Sequence, residues 1–160
     1  MRVPMGWASI LASLLPAVLA ALLLWAGVED VRRRTIANAK NAAIALLAPV
    51  WWLAAGLSPW PDMAVQVAVA AAMLFLFALA FRFGMMGGGD VKMIAALALW
   101  FPWTRFLELL VVMSLAGGAI TIAMLIERRW KGGDVEVPYG VAIAIAGLLA
   151  LREPLLNQSL

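Results

Sequence analysis

Nine carboxylates carry most of the chemistry open to this chain of 160 residues: Glu29, Asp30, Asp62, Asp90, Glu108, Glu127, Asp134, Glu136 and Glu153. It has no histidine and no cysteine. That removes Ser-His-Asp triads, imidazole metal ligands, zinc–thiolate sites, cysteine nucleophiles and disulfides. Two of the acids stand where an apolar run meets a tight turn. Asp30 opens Asp30-Val31-Arg32-Arg33-Arg34-Thr35-Ile36-Ala37-Asn38. Alone, it reads as a carboxylate paired with arginines at the water interface, an arrangement that contributes little. Asp90 closes Gly87-Gly88-Gly89-Asp90 and precedes Val91-Lys92-Met93. Aspartate is a good helix cap, but three consecutive glycines carry a high entropy cost. They also remove every side chain that would hold a second helix or a peptide away. Two carboxylates in one site cannot both ionise easily, so one keeps a proton. One member then takes a proton from water while the other polarises a carbonyl. Carboxylates, Lys, Arg, Tyr and hydroxyls remain as the catalytic repertoire, and an aspartyl dyad is the hydrolytic chemistry that fits it best.

The elements that must position such a pair are membrane helices. Hydrophobic residues make up 66% of the chain and charged residues 13%, against about 25% charged in a soluble domain. Mean hydropathy is +0.99. A soluble domain of this size has too much surface to cover with so few charges. A cytosolic globular enzyme, a disordered chain and a nucleic-acid-binding module are therefore excluded. Apolar runs occur at Trp7 to Val28, Ile36 to Gly56, Met63 to Phe83, Val91 to Phe101, Phe106 to Ile126 and Val137 to Leu151. The fourth is short, and Pro16 offers a kink in the first. The first run is too long for a signal peptide's apolar region, and its basic cluster follows it rather than precedes it. The reading is all-α: one polytopic membrane helix bundle of about six transmembrane helices, with residues 1–160 as a single integral-membrane domain.

Basic residues orient the bundle. With the first connection inside, the cytoplasmic side carries Arg32, Arg33, Arg34, Lys40, Arg82, Lys92, Arg128, Arg129 and Lys131, and the other side carries Arg2, Arg105 and Arg152. Both termini then face outward, and Asp30 and Asp90 share the cytoplasmic side at similar depth. Trp51, Trp52, Trp60, Trp100 and Trp103 fall near the outer ends and read as interfacial anchors.

Three stretches resemble one family. Gly87-Gly88-Gly89-Asp90-Val91-Lys92 is similar to the Gly-x-Gly-Asp motif and following lysine of type IV prepilin peptidases. The Asp30-to-Asn38 segment resembles that family's first-aspartate segment, with Ala37 where proline is usual. Val137-Pro138-Tyr139-Gly140-Val141-Ala142-Ile143-Ala144 looks like its Pro-Tyr-Gly stretch. The likeness is nearest to the short branch serving Flp-type pili of tight-adherence systems. It implies a membrane-embedded aspartic endopeptidase of the bacterial inner membrane, cutting a short basic leader from prepilins and pseudopilins at the cytoplasmic face. It implies Asp30 and Asp90 as the catalytic pair, with Gly87, Gly89, Lys92 and Asn38 as supporting motif residues. No cofactor and no metal is expected, and no nucleic acid. The partners implied are prepilin precursors and the lipid bilayer, with homo-oligomerisation left open. The N-methyltransferase activity of the family's long forms is tied to a cysteine-bearing region, and the absence of cysteine argues against it here.

The remaining polar residues have plainer readings. Asn38 and Asn41 fit helix capping, and Asp62 fits a cap after Pro59 and Pro61. Lys92 fits a snorkelling lysine as well as one that tunes the aspartate's charge. Tyr139 reads as packing first and substrate contact second. Asp134 and Glu136 read as a solvated turn that would also attract a basic leader. Gly117-Gly118 reads as a close helix approach. Within the same chemistry, a preflagellin-type peptidase or a general intramembrane protease stays open. From another class, a non-enzymatic assembly subunit or a small transporter remains. Mid-span ionisable residues would mark a transporter; in the middles of the runs only Gln66 is even amide-polar, and it lies near an end.

Overall fold

The computed structural model describes residues 5–131 and 137–156. Six α-helices follow in order: α1 (Met5–Arg33), α2 (Asn38–Ala54), α3 (Ala64–Arg82), α4 (Gly88–Ala98), α5 (Trp103–Lys131) and α6 (Tyr139–Leu156). A π-helical turn, Pro59–Met63, leads into α3. There are no strands among the described residues. α1, the α3 segment and α5 are each long and apolar enough to cross a membrane, and α6 adds a shorter apolar helix. The outer faces of α1, α2, α3 and α5 carry large apolar side chains such as Trp7, Leu46, Phe75 and Leu115. In water such a continuous apolar surface would drive association; in lipid it is the expected exterior.

α1 packs on α6 and α2, α6 on α5, and α4 on α3, α2 and α6. Leu19 and Leu23 of α1, Ile94 and Leu97 of α4, and Ile143 of α6 are fully buried where these helices meet. Small residues set the α1–α6 distance. A Cβ on Gly27 would stand 3.2 Å from Ala144 Cβ, and one on Gly147 only 2.8 Å from Leu23 Cδ1. Lipid gives helices little hydrophobic reason to associate, so close backbone approach supplies the attraction. α1 remains helical through Pro16.

Two readings of the apolar runs change. α4 is the buried centre of the bundle, not a span in its own right. Its 11 residues cover about 16 Å, roughly half the hydrocarbon thickness. A helix end at that depth leaves carbonyls that no water can satisfy. Neighbouring side chains satisfy them instead. Trp52 of α2 donates its indole N–H to the Leu99 carbonyl at 2.7 Å. The buried Gln66 amide, oriented by its hydrogen-bond network, donates to Phe101 O at 2.8 Å and Ala98 O at 3.2 Å. Trp100 returns a bond to Ile44 O of α2 at 2.8 Å. Trp52 and Trp100 are therefore core pegs, each 5% exposed or less, and not interfacial anchors. Trp60 and Trp103 remain exposed, as anchoring requires.

Candidate active site

α1 carries Asp30 in its last turn, three residues inside the helix end, so the acid does not terminate the helix as the run Trp7–Val28 suggests. The helix stops at Arg34, whose φ of +55° places a non-glycine residue in the left-handed region. Its N–H closes the turn on the Asp30 carbonyl at 2.9 Å. Such a conformation in a residue with a Cβ has an energetic cost and is over-represented at functional sites. Asp30 itself is buried. It lies against the start of α6, where the Gly140 and Val141 amides face its carboxyl. Its Oδ2 has no donor within hydrogen-bonding geometry. The amides thus act as the positive end of α6 more than as closed bonds.

Gly140 makes this contact feasible. A Cβ there would stand 2.8 Å from Asp30 Cγ and Oδ2 and 2.7 Å from Ile36 Cδ1. The Pro-Tyr-Gly stretch, read from sequence as helix packing, therefore also makes room for the first aspartate. Tyr139 does pack: its ring lies against Gly117 of α5. Gly118, by contrast, faces open space.

Asp90 is the third residue of α4, not its cap; Gly87 is the N-cap. The Gly87 N–H reaches the Asp90 carboxyl, the geometry of half a capping box. A Cβ on Gly87 would stand 2.9 Å from Asp90 Oδ2, and one on Gly89 would press on the Ile36 backbone at 3.3–3.4 Å. The glycines let the head of α4 reach the segment that follows α1. Asp90 stands outside the apolar spans. Burial, then the neighbouring Asp30 charge, push its carboxyl up to about 6, against the lowering effect of the Gly87 N–H.

The two aspartates line one cavity of about 280 Å³ with Arg34, Thr35, Ile36, Asn38 and the three glycines. Asn38 and Asn41 do not cap α2: its N-cap is Ala37, with no side-chain cap bond. Asn38 accepts from Lys92 Nζ at 2.8 Å, and Asn41 Nδ2 donates to Gly89 O at 2.9 Å. Both bonds tie α2 to the head of α4, so Lys92 spends its nearest contact on Asn38. Asp62 is not the cap expected of it: Ser58 is the N-cap of the Pro59–Met63 turn, and Asp62 lies inside the turn, accepting from Ser58 N–H at 3.0 Å and Ser58 Oγ at 2.8 Å. Glu29 stands apart from the aspartate cavity. It pairs with buried Lys40 and accepts from Ala37 N–H at 3.2 Å, while Lys40 Nζ lies 4.5 Å from the Trp25 ring centre. This clamp holds the end of α1 to the start of α2. Asp134 and Glu136 lie outside the described residues. Among those described, no group of three or more acids could hold a metal.

Residues 17–122, which include both aspartates, match the type IV leader peptidase family. A prepilin leader peptidase/N-methyltransferase of Legionella pneumophila is 30% identical over 144 residues, 86% of this chain and 42% of that protein. A protein of the same name from Aeromonas salmonicida strain A449 is 28% identical over 152 residues, 91% of this chain and 50% of that protein. The chain thus spans about half the length of the curated relatives it matches. No solved structure matches it. The family match covers well over half of the sequence and both halves of the carboxylate pair, and the chain belongs to the type IV leader peptidase family.

Proposed function

We propose that this chain is an aspartic endopeptidase that removes the short basic leader from prepilins and pseudopilins of the type IV, Flp-type class. It acts at the cytoplasmic face of the bacterial inner membrane, with Asp30 and Asp90 as its catalytic pair. The observation that carries the reading is the single cavity lined by both carboxylates at the polar ends of α1 and α4. The nine-to-three division of basic residues supports the cytoplasmic placement.

The two sites divide the chemistry. Asp30 faces the α6 amides and Arg34, which offset in part the burial of its carboxylate. Asp90 is held where its charge is disfavoured. Asp30 therefore takes a proton from water, and the resulting hydroxide attacks the scissile carbonyl carbon. Asp90 gives its proton to the carbonyl oxygen. On collapse, the carbon–nitrogen bond breaks, Asp30 hands its proton to the leaving amine, and a hydroxyl proton of the intermediate returns to Asp90. The products are a leader ending in a carboxylate and a new amino terminus. The glycine turn leaves the peptide backbone free to approach Asp90 closely.

The test is cleavage of a leader-bearing precursor by the reconstituted protein. Asp30→Asn and Asp90→Asn should each remove about 10²–10⁴-fold of the rate while the protein stays inserted. The double variant should be hardly worse, because members of a catalytic unit are not additive. Near-normal cleavage by both single variants would overturn the reading in favour of a non-enzymatic subunit.

A further inference from the structure

A second concavity adjoins the aspartate cavity. It is a groove of about 470 Å³ between α2 and α3, floored by α4. α4 packs on both of these helices, whereas α2 and α3 have no comparable contact with each other. Each helix presents one face to it, at positions i, i+3, i+4 and i+7, and six of the twelve lining residues are alanine. Two helical turns, about 10 Å, fit along such a face, and small residues let helix backbones approach closely. The groove is apolar except at the end nearest Asp90, where Asn38, Asn41 and Lys92 line it. Asn38 lines both concavities.

Asn41 distinguishes a ligand site from a stripe of small residues. It is 4% exposed. Its nitrogen holds Gly89 O, and its Oδ1 has no partner. A buried acceptor without a donor carries a desolvation cost. A lipid acyl chain has no donor to offer. The first turn of a helix has up to four free N–H groups.

We infer that this groove receives the apolar segment of the substrate that follows the scissile bond, as a helix whose first-turn N–H groups meet Asn41 Oδ1. This inference rests on the peptidase reading. It places the peptide bond just before that helix beside Asp90, two residues from Lys92 on α4.

The chain has no cysteine, so single cysteines report cleanly. A synthetic precursor with a basic leader, a glycine and an apolar segment carries a thiol-reactive crosslinker one or two turns after the glycine. It should join Ala71→Cys, on the groove wall, and not Ala17→Cys, on the exposed far side of α1. Ala71→Phe should raise KM about tenfold with little change in kcat, as filling an occupied groove would. Ala72→Phe, exposed on the same helix outside the groove, should change neither. Asn41→Asp, which keeps the acceptor and loses the bond to Gly89, should lower kcat. Asn41→Leu should lower kcat and raise KM as well. Intact cleavage with an unchanged KM in Ala71→Phe, or equal crosslinking at positions 71 and 17, would overturn the groove and leave the peptidase reading standing. A photoreactive phospholipid that labels Ala71→Cys and is not displaced by precursor would overturn it likewise. Failure of the unmodified protein to cleave any leader-bearing precursor would overturn the peptidase reading, and this inference with it.

Discussion

Gly140→Ala is the smallest change that acts on the proposed dyad without touching a carboxylate. The added methyl would stand 2.8 Å from Asp30 Cγ and Oδ2, so reaching an ordinary contact of 3.4 Å requires a retreat of about 0.6 Å. The other close atom, Ile36 Cδ1, is the free end of a side chain and can move aside. A retreat of the α6 backbone would open the close α1–α6 packing that Gly27 and Gly147 permit. The carboxyl must therefore yield. A displacement near 1 Å at a reacting group costs about 10²-fold in rate, so 0.6 Å should cost roughly tenfold to 10²-fold. Overpacking of this kind costs about 1–3 kcal/mol of stability, partly offset by the better helix propensity of alanine, about 1 kcal/mol. The variant should remain folded. The assay is precursor cleavage in proteoliposomes, alongside thermal unfolding in detergent. Gly118→Ala is the internal control: no atom lies within 4 Å of its added methyl, so rate and stability should hold or improve slightly. Wild-type cleavage by Gly140→Ala would refute the claim that Asp30 works from the position that Gly140 leaves open.

Cleavage should depend on a proton held by Asp90. Its carboxyl is pushed up to about 6 by burial and the Asp30 charge. The rate should decline as pH rises through and above that value, and kcat/KM still climbing well past neutrality would contradict the assignment of Asp90 as proton donor. Glu29→Gln should lower the thermal midpoint because it strands buried Lys40. Glu29→Gln with Lys40→Met should recover most of the loss, since an apolar replacement of a buried pair is often neutral; a silent Glu29→Gln would show the clamp to be idle. Single cysteines at Ser58 and Met86 should be labelled from opposite sides of the membrane, with position 86 cytoplasmic, and outside labelling of position 86 would reverse the proposed orientation.

The helix order and the joining of Asp30 to Asp90 could be read from apolar run lengths, the basic asymmetry and the Gly-Gly-Gly-Asp turn, because each is a local pattern. What those patterns do not encode is which polar side chain meets which carbonyl across the bundle. Asn41 and Gly89 are 48 residues apart, Trp52 and Leu99 are 47, and Trp100 and Ile44 are 56. A tryptophan near a helix end has the same sequence signature whether it faces headgroups or a neighbouring carbonyl, which is why Trp52 and Trp100 read as anchors. Asn41 read as a cap for the same reason. These contacts bear on the site directly. α4 is too short to find its depth by matching the bilayer. Its depth is instead set by bonds at both ends: Asn41 and Asn38 to its head, Trp52 and Gln66 to its tail. Asp90 is the third residue of that helix, so its height relative to Asp30 follows from pegs that stand as far as the opposite end of α4. Loosening Trp52 or Gln66, remote from any proton transfer, would let α4 slide along α2 and separate the two carboxylates.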